Sequence, residues 1–283
     1  LEFRRVLFRS VIRKGYVFNK TFTDRRIISI REYVLELVIY QDLYYNIELI
    51  NNLPDSLLDD REIVIQCIEN GYRFEDKTPL KLYQIDYIKT YFAYYNETNS
   101  IWLKMNYIFK KLDKDVIMDK SNGLVYCAID YGYDMNQYTL SIILNDLDYV
   151  LYFAKKNVNR ISYLFTGLRD KGINYFNDKR FVYSIIDYGY IINPNSPKEI
   201  LNNPDYIMYA LKYGKAGDFS YSFDESIIDD KMALLILMNR KNIRFLKFGE
   251  EFFKKHGLKK EYLILSKYMN NFYKKYAVNE NLG

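Results

Sequence analysis

Nucleophilic and acid–base side chains are scarce in this chain of 283 residues, which contains two cysteines and one histidine. Cys67 and Cys127 have no histidine near them in sequence, and no CxxC, HExxH, GxSxG or phosphate-loop pattern occurs. A thiol nucleophile needs a neighbouring base, and a histidine-based metal site needs more than the single His256. We therefore predict a protein that is not an enzyme and that holds no metal and no cofactor.

Two pairs of acidic residues are the remaining candidates for catalytic carboxylates. Asp59 and Asp60, like Asp229 and Asp230, stand directly before segments with helical periodicity. Aspartate is a preferred residue at the start of a helix, where its carboxylate accepts hydrogen bonds from free backbone amides. We therefore interpret both pairs, and Asp178 before the segment that follows it, as helix caps.

A motif that ends in Gly-Tyr occurs three times, as CIENGY at 67–72, AIDYGY at 128–133 and IIDYGY at 185–190. Ser or Thr follows each glycine by seven residues, and Asn or Gly follows it by 25 residues. The landmarks of the three copies are Gly71, Thr78 and Asn96, then Gly132, Thr139 and Asn157, then Gly189, Ser196 and Gly214. The same offsets in three copies indicate an internal repeat of about sixty residues.

Each landmark has a predicted role in a helical hairpin. The glycine supplies the left-handed residue that ends a helix, and the residue 25 positions later tolerates positive φ as well. Thr78-Pro79 and Ser196-Pro197 predict an N-cap followed by proline at the first helical position. Stacked hairpins of this kind, each burying a face only against its neighbours, predict an all-α fold, an α-solenoid with no β-sheet.

The chain is predicted to form one domain over residues 11–283, because no Gly-, Ser- or Pro-rich linker interrupts it. Residues 1–10, LEFRRVLFRS, lack an initial methionine and lie outside the repeat pattern. We interpret them as a non-native leader, in which case part of the natural N-terminus is missing. Their removal is then predicted to leave the melting temperature nearly unchanged.

The last unit, from about residue 240, is strongly basic, with eleven Lys or Arg against three Glu between residues 240 and 276. The favoured interpretation is a basic C-terminal cap that covers the last apolar face of a solenoid. The alternative is a patch that binds nucleic acid or an acidic protein. The members of that basic patch would be Lys254, Lys255, Lys259, Lys260, Lys274 and Lys275.

The segment DREIVIQCIENGYRFEDKTPLKL at 60–82 resembles ankyrin repeats, in which a helix ending in Asn-Gly precedes a Thr-Pro-Leu helix start. The resemblance extends more loosely over 120–145 and 178–201. It departs from the family in two ways: the interval from glycine to threonine is seven residues instead of about twelve, and Lys81 replaces the usual histidine. The shorter interval predicts that the projecting β-hairpin of ankyrin repeats is absent, so its contacts are not carried over to this chain.

The sequence is therefore most similar to degenerate ankyrin-like repeats of AT-rich large DNA viruses and intracellular bacteria. That resemblance implies a non-enzymatic protein–protein interaction scaffold whose partner is another protein. The alternative is a nucleic-acid-binding α-solenoid that uses the basic C-terminal unit. RNA-reading repeats place the same side chains once per base, whereas here the repeat length drifts and the basic charge is clustered, so the protein scaffold is favoured.

The amino-acid composition indicates a cellular location and leaves one question open. Two cysteines are too few for a disulfide framework, which favours an intracellular, cytoplasmic location, in the host cytoplasm if the source is viral. No uncharged stretch approaches the length of about 18 residues that a membrane helix needs, so we expect no membrane insertion. The 31 tyrosines reflect either a bias toward AT-rich codons or a tyrosine-lined binding surface.

Overall fold

The structure is a computed structural model, and it describes residues 2–15, 26–40, 43–95, 101–213, 228–238 and 250–266. These residues form α-helices joined by turns and by short 3₁₀ segments. None of the described residues belongs to a β-strand, and Ile192 makes only an isolated bridge. The predicted all-α class is confirmed for this part of the chain. Across the same ranges, no helix has the length and apolar character needed to cross a membrane.

The helices are named here in chain order. The first ten are α1 (Glu2–Arg13), α2 (Arg31–Tyr40), α3 (Leu43–Ile50), α4 (Asp55–Leu58), α5 (Arg61–Glu69), α6 (Ile85–Tyr95), α7 (Ile101–Lys111), α8 (Lys114–Met118), α9 (Leu124–Asp130) and α10 (Ser141–Leu144). They are followed by α11 (Leu147–Lys156), α12 (Ile161–Asp170), α13 (Lys179–Asp187), α14 (Lys198–Leu201), α15 (Pro204–Lys212), α16 (Asp230–Met238) and α17 (Glu250–Lys255).

The chain divides into two compact units, residues 1–149 and residues 150–283, and the boundary lies within α11. In the first unit α5 packs against α2, α4 and α6. In the second unit α13 packs against α15, which also contacts α14 and α16. The single domain inferred from the sequence stays a prediction.

The core of each unit is built from the apolar stripes that the sequence indicates. The stripe of α5 is Ile63, Val64, Cys67 and Ile68, and the stripe of α13 is Phe181, Val182, Ile185 and Ile186, all of them buried. The Cys67 side chain fills the position of a packed residue, and its burial raises the pKa of the thiol. A thiol that resists ionisation is a poor nucleophile.

Aspartates begin several helices, as the sequence predicts. The carboxylates of Asp60, Asp178 and Asp229 each accept a hydrogen bond from an amide two or three residues later, at 2.7–3.3 Å. These bonds satisfy amides that have no partner within the helix itself. Each of these three carboxylates therefore caps a helix, and Asp60 also pairs with Arg31 Nε at 2.5 Å. The other members of the two acidic pairs do not cap helix starts: Asp59 follows α4 and pairs with Lys81, and Asp230 is the first residue of α16.

The helices that precede the repeated glycines end in one common way. The φ angles of Gly71, Gly132 and Gly189 are 97°, 93° and 113°, values that favour glycine. In all three copies the following tyrosine amide donates to the carbonyl five residues earlier, at 2.8 Å. The glycine amide donates to the carbonyl three residues earlier, which completes a Schellman motif. Gly172 and Gly257 end α12 and α17 with the same two bonds, although they lie outside the repeated motif.

One predicted role of the repeat landmarks is wrong. The repeated hydroxyl residues Thr78, Thr139 and Ser196 do not cap the helical segments that follow them. Each segment begins one residue later than predicted. Its N-cap position is held by a residue with extended backbone and no capping side chain, namely Pro79, Leu140 or Pro197. The hydroxyls are engaged within the preceding loop instead, as described below.

Asn157 tolerates positive φ, but it does not adopt it in this fold. Its φ is −129°. Its amide donates to the Phe153 carbonyl at 2.8 Å, so α11 ends here without a left-handed residue. The corresponding landmarks Asn96 and Gly214 lie outside the described residues.

Residues 2–10 belong to α1, which packs against α2. The rings of Phe8 and Tyr33 lie 4.2 Å apart between centroids. The Arg9 Nε atom lies 2.5 Å from Glu36 Oε1. Just beyond this segment, the side chain of Ile12 is buried.

Deletion of residues 1–10 tests the interpretation of this segment as a leader. The sequence pattern alone predicts no change in melting temperature. The contacts of Phe8 and Arg9 predict a decrease of about 2–4 °C, because a given loss of unfolding free energy shifts the melting temperature only slightly in a chain of this size. We expect the decrease in differential scanning calorimetry. An unchanged melting temperature would support a leader that is foreign to the fold.

Candidate functional site

Each repeated glycine opens a loop of nine residues, and the three loops share one internal frame. We call residues 71–79, 132–140 and 189–197 the Gly-Tyr loops. Three buried positions are common to all three loops: the tyrosine after the glycine, an apolar residue two positions later, and the repeated hydroxyl residue. They are Tyr72, Phe74 and Thr78, then Tyr133, Met135 and Thr139, then Tyr190, Ile192 and Ser196.

In each loop, the repeated hydroxyl residue forms hydrogen bonds with the backbone of the residue three positions earlier. The hydroxyl oxygens of Thr78, Thr139 and Ser196 accept from the amide three residues earlier, at 2.8, 3.0 and 2.9 Å. The amide of each hydroxyl residue donates back to the carbonyl of that same earlier residue, at 2.9–3.0 Å. Two reciprocal hydrogen bonds therefore hold each loop in one conformation.

The buried tyrosine hydroxyl completes the frame. Tyr72 donates to Thr78 Oγ1 at 2.9 Å, and the hydroxyls of Tyr190 and Ser196 lie 2.6 Å apart. In the second loop Tyr133 donates to Asn106 Oδ1 on α7, at 2.7 Å. Burial raises the pKa of all three tyrosines, so their hydroxyls remain protonated and available as donors at neutral pH.

The exposed positions of the loops differ from copy to copy. The first loop exposes four charged side chains, those of Arg73, Glu75, Asp76 and Lys77. The third loop exposes Ile191, Pro194 and Asn195. A shared buried frame therefore displays a different set of side chains in each copy.

A large apolar side chain is exposed at or beside each loop. Leu80, directly after the first loop, is 84% exposed, Tyr138 in the second loop is 58% exposed, and Ile191 in the third loop is 51% exposed. We call Leu80, Tyr138 and Ile191 the exposed loop side chains. The Thr-Pro-Leu pattern predicts Leu80 at a helix start, and the repeat landmarks include neither Tyr138 nor Ile191. Tyr138 stands between the polar residues Gln137 and Thr139, whereas Ile191 stands between Tyr190 and Ile192, where no local signal marks it as exposed.

An open groove of about 950 Å³ adjoins the first loop, between α3, the loop and α7. Its lining includes Phe74 from the loop and Leu103 and Tyr107 from α7. The Tyr107 hydroxyl donates to Asp76 Oδ1 at 2.9 Å, and Lys111 Nζ lies 3.8 Å from the same oxygen. These contacts connect the exposed end of the first loop to a helix outside it.

The basic C-terminal patch is partly neutralised where the structure describes it. Lys254 lies 3.7 Å from Glu251, and Lys259 lies 2.9 Å from Glu250. Lys255 and Lys260 form no ion pair with any residue in the described ranges. Lys274 and Lys275 fall outside those ranges.

The remaining candidates for chemistry occupy packing positions. His256 Nδ1 lies 2.7 Å from Asp230 Oδ1, and its ring packs on Phe252 at the end of α17. Cys127 is half-buried, and burial raises the pKa of its thiol. Among the residues that the structure describes, no group of three or more His, Cys, Asp or Glu side chains has the arrangement of a metal site.

Comparisons with protein-family models, with curated proteins and with solved structures find no match to this chain.

Proposed function

We propose that this chain is a non-enzymatic protein-binding scaffold, built from ankyrin-like helical repeats stacked as an α-solenoid. The observation that carries the proposal is the set of Gly-Tyr loops, each with the same buried frame and each with a large exposed apolar side chain at or beside it. Burial of such side chains against a partner recovers about 25 cal/mol for each Å² of apolar surface removed from water. Binding residues are commonly placed on loops that a rigid framework positions.

The hydrogen bonds within the loops favour this use. A flexible loop loses conformational freedom when it binds, and that loss weakens the affinity. Here the reciprocal bonds of Thr78, Thr139 and Ser196 already hold the loops in one conformation. The exposed loop side chains are thereby presented to a partner at little further cost in entropy.

Nucleic-acid binding through the basic C-terminal unit has weaker support. Phosphate recognition depends on the number of cationic side chains that are available to neutralise the backbone. Lys254 and Lys259 are already paired with glutamates, which leaves Lys255 and Lys260 as the unpaired members within the described part of the patch.

The test of the proposed function compares two sets of substitutions. One variant combines Leu80→Ser, Tyr138→Ser and Ile191→Ser. The control combines Tyr94→Ser and Tyr163→Ser, which remove tyrosines that are 50% and 59% exposed on helix surfaces. Both proteins are checked by circular dichroism for unchanged helix content.

Wild-type protein is first cross-linked in a lysate of the source cell, and the captured protein is identified and purified. Its affinity for each variant is then measured by isothermal titration calorimetry. We expect the loop variant to bind at least about 30-fold more weakly, the effect of losing one hot-spot residue or more, and the control to bind normally. Equal affinity of the loop variant and the wild type would contradict the proposal.

A further inference from the structure

A second groove, of about 560 Å³, lies within the unit 150–283 between α13, α15 and α16. One wall is formed by Tyr183 of α13 and Tyr209 of α15, whose rings stack with centroids 4.3 Å apart and an interplanar angle of 18°. The Tyr209 hydroxyl donates to Asp187 Oδ1 at 2.7 Å, which fixes the ring. We call this the tyrosine groove, and its other lining residues are Asp205, Met208, Lys212, Lys231, Leu234 and Leu235.

Apolar side chains also line the tyrosine groove. Leu234 of α16 is 41% exposed, and Met208 of α15 is half-buried. The wall of two tyrosine rings faces the same space. Aromatic rings and aliphatic side chains around one open groove form a surface that can take an apolar anchor of a partner.

The charges at this groove are unbalanced. Asp205 is the acidic residue of the lining, and its carboxylate lies 3.4 Å from Lys179 Nζ. The lysines that line the groove, Lys212 and Lys231, form no ion pair within the described part of the chain.

The lining therefore holds two lysines against one aspartate that is already paired with Lys179, so it carries a net positive charge. The Lys212 ammonium lies 5.4 Å from the centre of the neighbouring Tyr213 ring. This ring is uncharged, so the contact does not neutralise the positive charge of Lys212. A partner of opposite charge is attracted to such a site and is oriented by it.

We propose that the tyrosine groove binds an acidic peptide segment of a partner protein, in which Asp or Glu side chains flank one large apolar or aromatic anchor. The anchor lies between the tyrosine wall and Leu234, and the carboxylates pair with Lys212 and Lys231. This inference rests on the proposed function as a protein-binding scaffold, and it adds a second site with defined chemistry. The groove volume is within the range of about 300–1,000 Å³ that is usual for ligand sites.

The test begins with a phage-displayed library of random 16-residue peptides, selected on the full chain and counter-selected on a Leu234→Asp variant. Leu234 is exposed enough for aspartate to be tolerated, and circular dichroism checks that the variant is folded. We expect the enriched peptides to carry net negative charge around a Leu, Phe, Tyr or Trp. The most enriched peptide is then labelled with fluorescein for polarisation measurements.

Charge reversal provides the second step. The variant with Lys212→Glu and Lys231→Glu is expected to bind the labelled peptide at least about tenfold more weakly, since each close charge pair contributes to the affinity. The control carries Lys155→Glu and Lys171→Glu, which make the same change in net charge at exposed positions on α11 and at the C-terminal end of α12. The control is expected to retain its affinity within about twofold.

Three results would overturn the proposal: no enrichment over the Leu234→Asp protein, enriched peptides without acidic residues, or equal losses in the two lysine variants. A dimer of the unliganded protein in sedimentation that Leu234→Asp dissociates would assign the groove to a second copy of the chain and would also overturn it. The Leu80, Tyr138 and Ile191 variant should bind the peptide normally. The outcomes for the Gly-Tyr loops and for the tyrosine groove can therefore be told apart.

Discussion

Replacement of Tyr133 by alanine is expected to lower the free energy of unfolding by about 3–5 kcal/mol, the range for buried aromatic side chains. The Tyr133 ring is fully buried and meets the Phe109 ring edge to face, with centroids 5.2 Å apart. Its hydroxyl is bonded to Asn106 Oδ1. The substitution removes this packing and leaves a cavity beside the second Gly-Tyr loop.

Two further variants separate the ring from the hydroxyl and the buried position from the exposed one. Tyr133→Phe keeps the ring and is expected to cost about 1–3 kcal/mol, because it leaves the buried Asn106 oxygen without its donor. Tyr138→Ala, in the same loop but on the surface, is expected to change stability by no more than about 0.5 kcal/mol. Urea unfolding followed by circular dichroism gives all three values. A Tyr133→Ala effect as small as that of Tyr138→Ala would show that the loop frame does not hold this part of the fold.

Replacement of Thr139 by valine is expected to cost about 1–3 kcal/mol, although the two side chains have nearly the same shape. Thr139 is fully buried, and its oxygen accepts from the Asn136 amide at 3.0 Å. Valine places a methyl group where that oxygen lies. The Asn136 amide is then buried without an acceptor, and this desolvation is the main source of the loss.

The matched control is Thr139→Ser, which introduces the residue found at the equivalent position 196. Serine keeps the hydroxyl and loses one methyl group, so we expect a smaller cost of about 1 kcal/mol. Urea unfolding measures the global effect, and hydrogen exchange of the Asn136 amide measures the local one. Valine should accelerate exchange at Asn136 while serine should not. Equal stability of the valine and serine variants would show that the hydroxyl does not hold the loop.

The roles that the sequence predicts well are those determined within a few residues of backbone. Asp60 begins α5 and Gly71 ends it through hydrogen bonds that reach no further than five residues along the chain. The helical stripe of α5 is equally local, because side chains three or four positions apart share one face of a helix. Composition and spacing alone were therefore sufficient to predict the all-α class.

The roles that the sequence predicts badly depend on choices between local and distant partners. Thr78 and Ser196 could accept a bond either from the helix that follows or from the loop that precedes. The buried hydroxyls of Tyr72 and Tyr190 and the loop amides engage them instead. The sequence spacing shows that a hydroxyl residue recurs. It does not show which backbone amide will be buried next to that hydroxyl and will donate a hydrogen bond to it.

Only the tertiary structure decides where the binding surfaces lie. Tyr183 and Tyr209 are on different helices, and their stacking becomes visible only when α13 and α15 are packed together. Likewise, the charge of Lys259 is offset by Glu250, and that of Asp205 by Lys179, across intervals that no local pattern contains. The sequence by itself determined the helices and their ends, because backbone hydrogen bonding is a short-range property. Packing determined which side chains remain exposed or unpaired, because desolvation and ion pairing join residues that are distant along the chain.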